Sequence, residues 1–536
     1  MLTLLYNPLR AESATGDAPP MSSRKGASSS TETADEATFF VHEYRVKGAK
    51  HLPKIDVEGA VYPYLGPYQT RRHVEQARAA LEKAYHDSGY QTVAVTIPEQ
   101  SIAGGIIHLQ VIEAPVARLR VKGAKYFSPA AIKKQAPSLA EGKVIDFNEV
   151  PKDILALNQD PDRQVTPELR AGAEPGTVDV DLNVKDHSPL HASLELNNRA
   201  SPNTTSLRVN GSLSDNNIFQ SGDSAGLSFQ LSPQDFTQVK VFSAYYMKRF
   251  AATPNFSLLL QGTDLDSNVS TLGDVAVAGR GRTVGLRGVF NLPGAQEFVH
   301  SLSLGIDYKN YRDEVQLLTN GNDIVTPKTY YPLSVSYSAT QLKKGATTEL
   351  NASVNLHLRG MGSSAIEFDN SRYNSDGGFI YFHGDLAHTH DLPWGLQVYA
   401  KGQLQLSNEP LLSSEQITGG GLGTVRGYLE AEAVGDNGYF GTFELRSPSF
   451  LRKLAESKDE WRIYSFIEGG KLTVDDSLPG QKSHFVLASY GFGSRIQFKE
   501  HTSASLDAGI PLFDGPSGSP TKAGDVRLTF RAAVEY

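Results

Sequence analysis

From about residue 188 to the C-terminus, apolar and polar side chains alternate one by one, a pattern that rules out helices over most of this chain. Leu190, Ala192, Leu194 and Leu196 alternate with His191, Ser193, Glu195 and Asn197; Leu350, Ala352, Val354, Leu356 and Leu358 alternate with Asn351, Ser353, Asn355 and His357. Successive residues of a strand point to opposite faces, so each such segment has one apolar and one hydrophilic face. The alternation predicts about sixteen strands with no helix between them. An even number of that size suits a closed transmembrane barrel and is large for one soluble sheet. A soluble sandwich gives the same alternation with its apolar face inward, so periodicity alone leaves both environments open.

Composition narrows the choice. Mean hydropathy is -0.32, and apolar runs are short, such as residues 256–260, far below the roughly 20 residues of a membrane-spanning helix. A spanning strand needs only about 9 to 11 residues and shows lipid every second side chain, so barrels look soluble on average. The 49 glycines, 23 tyrosines and 24 phenylalanines fit a barrel with aromatic girdles and tight turns. A net charge of -8, with no strongly basic stretch, argues against a nucleic-acid partner. With no cysteine, disulfides, thiolate metal sites and thiol nucleophiles are excluded. The opening Met1-Leu-Thr-Leu-Leu-Tyr-Asn7 lacks the basic and apolar regions of a secretory signal, which is expected upstream of this sequence.

Residues 1–37 read as an unstructured segment, with a linker rich in Ser, Thr, Ala, Gly, Pro and charge from 11 to 37. Two small α+β domains are expected next, at 38–114 and 115–187. The first reads as a strand at 39–47, a turn at Gly48, a helix at 72–88 with Val74, Ala77, Leu81 and Tyr85 on one face, then strands at 92–97 and 106–112. The second reads as a strand at 117–121, Gly123, helical stretches at 128–135 and 148–158, and strands at 165–170 and 177–184. The openings Tyr44-Arg-Val-Lys-Gly-Ala-Lys50 and Leu119-Arg-Val-Lys-Gly-Ala-Lys125 mark an internal repeat of about 75 residues. The barrel then occupies 188–536.

Its most specific segment is a loop at about 415–438 containing Gly419-Gly-Gly-Leu-Gly-Thr-Val-Arg-Gly-Tyr428. Glycines around Val425-Arg426-Gly427-Tyr428 describe a tightly folded loop presenting one arginine, which in a hydrophilic lumen can bind a carboxylate through two charged hydrogen bonds. The candidate carboxylate is Glu468, which shares a strand face with Phe466 and Gly470. Local propensity alone favours a solvated arginine on an exposed hairpin. The final strand alternates Val526, Leu528, Phe530, Ala532, Val534 and Tyr536 with Arg527, Thr529, Arg531, Ala533 and Glu535. No catalytic residue, cofactor or metal is expected. Gly222-Asp-Ser-Ala-Gly226 is followed by strand alternation where a nucleophile elbow needs a helix. Gly421-x-Gly423 does not open a helix, and His388 and His390, read as flanking a turn, have no second ligand pair.

The Val425-Arg426-Gly427-Tyr428 loop resembles the sixth extracellular loop of the outer-membrane insertase and translocase superfamily, and Phe466-x-Glu468-x-Gly470 resembles its partner strand motif, which usually carries Asp. Gly89-Tyr90, residues 97–105 and 108–113, then 155–158, Pro175-Gly176 and 178–184, resemble that superfamily's polypeptide-transport-associated (POTRA) domains. Two such domains before a barrel are similar to two-partner secretion transporters, over about residues 38–536. The resemblance implies that periplasmic POTRA domains capture an unfolded secreted exoprotein and pass it through the outer-membrane barrel without ATP. The hydrophilic strand faces that carry Arg208, Asn210, Asn351, Asn355, Arg495 and Asp507 would then line the lumen and offer a moving chain no apolar surface. The resemblance further implies that Phe530, Val534 and Tyr536 signal to the barrel-assembly machinery, that the barrel wall meets outer-membrane lipids and lipopolysaccharide, and that an N-terminal plug helix is absent, shortened or upstream. An outer-membrane insertase shares the loop motif; a passive porin explains neither the repeat nor the loop, and a lipid-acting enzyme rests only on the serine motif.

Overall fold

The computed structural model describes residues 38–536 except 103, 251, 252, 268, 273, 274, 279, 296, 317–322, 452–458, 479 and 500. The segment 1–37, with its linker, lies outside the described residues. The chain divides into two compact units after Ser188.

The first unit holds two copies of one arrangement. In the first copy Glu43–Lys47 runs parallel to Ile106–Glu113, which pairs antiparallel with Val93–Thr96. In the second, Val116–Lys122 runs parallel to Val178–Asp186, which pairs antiparallel with Arg163–Ala171. The helix Arg71–Asp87 buries Val74, Ala77, Leu81 and Tyr85 against the first sheet, while Pro129–Lys134 and Val150–Leu157 cover the second. The helix Lys54–Val61 and the pairing of Phe39–Val41 with Gly66–Gln69 were not legible in the sequence. That helix buries only Val57 and Val61, too few positions to set a period.

The repeated Val-Lys-Gly-Ala-Lys has a physical cause. Gly48 and Gly123 adopt φ of +87° and +83°, and a Cβ would lie 2.3 Å from the Val111 carbonyl oxygen in one copy and 2.5 Å from that of Val184 in the other. Two residues beyond each of these valines, a carboxylate accepts the backbone N–H groups that follow the turn. Glu113 takes those of Lys50 and His51 at 2.7 and 2.9 Å; Asp186 takes those of Lys125, Tyr126 and Phe127 at 2.9, 2.8 and 3.1 Å.

The second unit is a closed antiparallel barrel running from Leu190–Asn197 to Arg527–Glu535, which pair with each other from Arg531 opposite Asn197 to Glu535 opposite Ser193. Asp323–Tyr330 and Leu333–Lys343 both pair with Phe298–Gln316 in one register, Lys309 opposite Tyr330 and Ile306 opposite Leu333. They form one wall strand interrupted at Pro332, whose nitrogen cannot donate to a ladder. Counted so, the described residues give sixteen wall strands. Leu194, Leu227, Phe242, Leu286, Leu304, Ile467 and Leu506 are exposed on the outer face, while Asp307, Glu444, Glu468 and Asp507 are buried inside. This reverses the arrangement of a water-soluble sandwich and matches a wall set in lipid.

Two local readings change. His388 and His390 lie within the strand Ile380–Asp391, not beside a turn, and a short helix, Ala365–Asp369, interrupts the strand-only region with a Ser364 capping box. Ser224 sits in the strand Asp223–Leu231.

Candidate functional site

The loop between the strands Gln397–Ser407 and Asn437–Arg446 folds into the barrel. Gly427, at φ +95°, brings the backbone against Gly509, where a Cβ would lie 2.5 Å from the Gly427 nitrogen. Val425 and Tyr428 are buried with Ile417, Phe440, Leu472 and Leu487. The Tyr428 hydroxyl donates to the Phe513 carbonyl at 2.8 Å.

This packing delivers Arg426 to three inward carboxylates. Its Nε and Nη2 donate to Glu468 Oε1 at 2.9 and 2.6 Å, and its backbone N–H donates to Oε2 at 2.6 Å. Nη2 lies 2.7 Å from Glu444 and Nη1 3.0 Å from Asp507. The guanidinium stands over the Phe466 ring, 3.6 Å from its centroid. At Gly470 a Cβ would lie 2.3 Å from Phe440 Cδ1, so glycine leaves that ring its place.

Arg446 balances Glu444 at 2.7 Å, and the Tyr464 hydroxyl donates to Asp507 at 2.8 Å. Burying one guanidinium among fully bonded carboxylates is tolerable; removing it leaves them uncompensated at a cost of about 3–5 kcal/mol. Sequence reasoning missed Glu444 as a partner and read Asp507 only as a wall residue. Strand parity could have found both, since each faces inward on the strands around Glu468. Also missed was the buried pair of Arg199 and Glu430, 2.7 Å apart, which ties the loop to the first hairpin of the barrel.

Of the wall residues, Arg208 folds back onto the Thr205 and Leu207 carbonyls at 2.6 and 2.8 Å. Asn210 donates to Glu195, Asn351 to Asp385 and Asn355 to Ser353, and Arg495 stands over the Tyr464 ring. In the last strand, Val534 and Tyr536 are exposed and Phe530 is half-buried. Tyr536 exchanges backbone bonds with Ala192 at 2.8 and 3.1 Å.

Paired α+β domains, a sixteen-stranded barrel and an arginine loop folded within it define a lipid-facing β-barrel preceded by repeated small domains. Residues 39–114 match the POTRA domain, ShlB-type. Residues 176–496 match Haemolysin secretion/activation protein ShlB/FhaC/HecB, and the chain belongs to that family. It is 24% identical over 498 residues to Outer membrane transporter CdiB of Escherichia coli O6:K15:H31, covering 88% of this chain and 79% of that protein. The solved structure of CdiB from Escherichia coli superposes with a TM-score of 0.60 at 20% identity, covering 95% of this chain and 93% of the other. BamA from Haemophilus ducreyi, lacking POTRA domains 1-3, shares the fold at a TM-score of 0.55 and 14% identity, covering 93% and 100%. The protein is thus an outer-membrane translocator of a secreted partner, of the two-partner secretion type.

Proposed function

We propose that the domains at 38–114 and 115–187 capture the secreted partner unfolded and pass it into the barrel at 188–536, with folding outside the cell driving export without ATP. Each small sheet has outer strands, such as Val93–Thr96 and Arg163–Ala171, whose edges suit capture by strand addition. Arg426 acts as the latch that tethers the loop and sets the conducting state, with Val425, Gly427 and Tyr428 shaping the turn and Phe466, Glu468 and Gly470 forming its seat. Phe530, Val534 and Tyr536 serve recognition by the barrel-assembly machinery.

The observation that carries this reading is the buried contact of Arg426 with Glu468 inside the lumen. Its test is Arg426→Ala in cells that also make the secreted partner. The variant barrel should still assemble, as read by heat-modifiable gel mobility, while extracellular partner is lost. Normal export by an assembled Arg426→Ala barrel overturns the latch.

A further inference from the structure

The same loop carries a second fastening that shares no residue with the Arg426 seat. On its first limb, the buried Glu415 carboxylate takes three donors from the wall: Lys309 Nζ at 2.6 Å, the Tyr330 hydroxyl at 2.5 Å and the Tyr381 hydroxyl at 2.8 Å. The Glu415 carbonyl accepts a bond from Gln405 at 3.0 Å. Beside it, Leu411 and Leu412 are buried in an apolar cluster with Val239, Val241 and Leu265.

Position around the barrel gives this contact its meaning. Counting wall strands from Leu190–Asn197, the loop leaves between the eleventh and twelfth. Arg426 is held by the twelfth, thirteenth and fifteenth, through Glu444, Glu468 and Asp507. Glu415 is held by the seventh, eighth and tenth, through Lys309, Tyr330 and Tyr381. The loop is therefore fastened to two separate arcs and bridges the space between them.

We infer that Glu415 is a second positioning residue for export, a carboxylate latch that holds the first limb across the lumen and must release before a polypeptide passes. The inference rests on the transport reading, but its own test needs no partner. Glu415→Gln leaves the Lys309 ammonium without its counter-charge in a nearly buried site, and Lys309→Met does the same to the carboxylate. Releasing the limb from one arc widens the path while the Arg426 seat stays intact.

The full chain is reconstituted in planar bilayers in potassium chloride, and the time spent in high-conductance states is recorded for heat-modifiable, assembled protein. Glu415→Gln and Lys309→Met are each expected to raise that time by about tenfold, the shift given by about 1.4 kcal/mol. Reversing the pair with Lys309→Glu and Glu415→Lys together should bring it back toward the starting level, which a merely structural role would not do. Unchanged conductance in both single variants overturns the inference.

A second arm covers variants that fail to assemble. Because the chain has no cysteine, Lys309→Cys with Glu415→Cys places the only two thiols on loop and wall. Joining them with a short bifunctional thiol reagent should abolish openings, and openings that persist after complete cross-linking overturn the inference. A wild-type chain that exports no partner would instead count against the transport reading, leaving these conductance results to stand by themselves.

Discussion

Glu468 meets both the guanidinium and the backbone N–H of Arg426 with one carboxylate. The fork geometry of arginine matters as much as its charge, because three carboxylates approach from three strands. Arg426→Lys keeps the charge and cannot serve all three, so export measured as extracellular partner should fall by about tenfold or more with barrel assembly unchanged. In the first small domain, burial pushes the Glu113 carboxyl up, but the N–H groups of Lys50 and His51, the His51 ring and the Tyr85 hydroxyl outweigh it and hold it below the ordinary value of 4.5. A depressed carboxyl stabilises the fold above its unfolded value and loses that contribution as pH falls through its folded one. Glu113→Gln should therefore lower the urea midpoint of this domain near neutrality, and the gap to wild type should close as pH drops below about 4. Pulse proteolysis in urea across that range reads the gap; one that widens with acid contradicts the assignment.

At the scale of elements, the seam between the first and last wall strands is short, with paired positions from Arg531 opposite Asn197 to Glu535 opposite Ser193 and the backbone exchange of Tyr536 with Ala192 beyond them. Asn198 extends it by side chain: its amide donates to the Leu528 carbonyl at 2.9 Å, and its oxygen accepts the Phe530 N–H at 2.8 Å. Asn198→Ala removes both bonds at a cost of about 1–2 kcal/mol, so the temperature at which the barrel loses its fast gel mobility should drop by several degrees, whereas Asn198→Asp keeps one acceptor and should lose less. The wall strands were legible because lipid outside and a hydrophilic lumen inside impose a strict period of two. The helix Arg71–Asp87 was legible for the same kind of reason, four buried residues on one face. Lys54–Val61 was not, having two buried positions, and neither was Ala365–Asp369, whose only buried residue is Phe368. For the site, the turn and Glu468 stood out as motifs, whereas Glu444, Asp507, Arg199 and Glu415 are ordinary residues in sequence whose meaning comes from long-range pairing.

For the whole molecule, the sequence left an outer-membrane insertase as the alternative to an exporter, and the family, by its description a haemolysin secretion/activation protein, favours export. The two activities make opposite demands on the rest of the outer membrane. An insertase acts on many barrels, and its loss depletes them together. A dedicated exporter acts on one secreted partner, and its loss leaves other barrels in place. The barrel closes through its own strands and has its own buried clusters, so deleting residues 38–187 should leave a heat-modifiable barrel that exports nothing, with other outer-membrane proteins at their normal levels by quantitative proteomics. A general fall in those barrels in the deleted strain would place the protein's work in membrane assembly and remove the case for a dedicated partner.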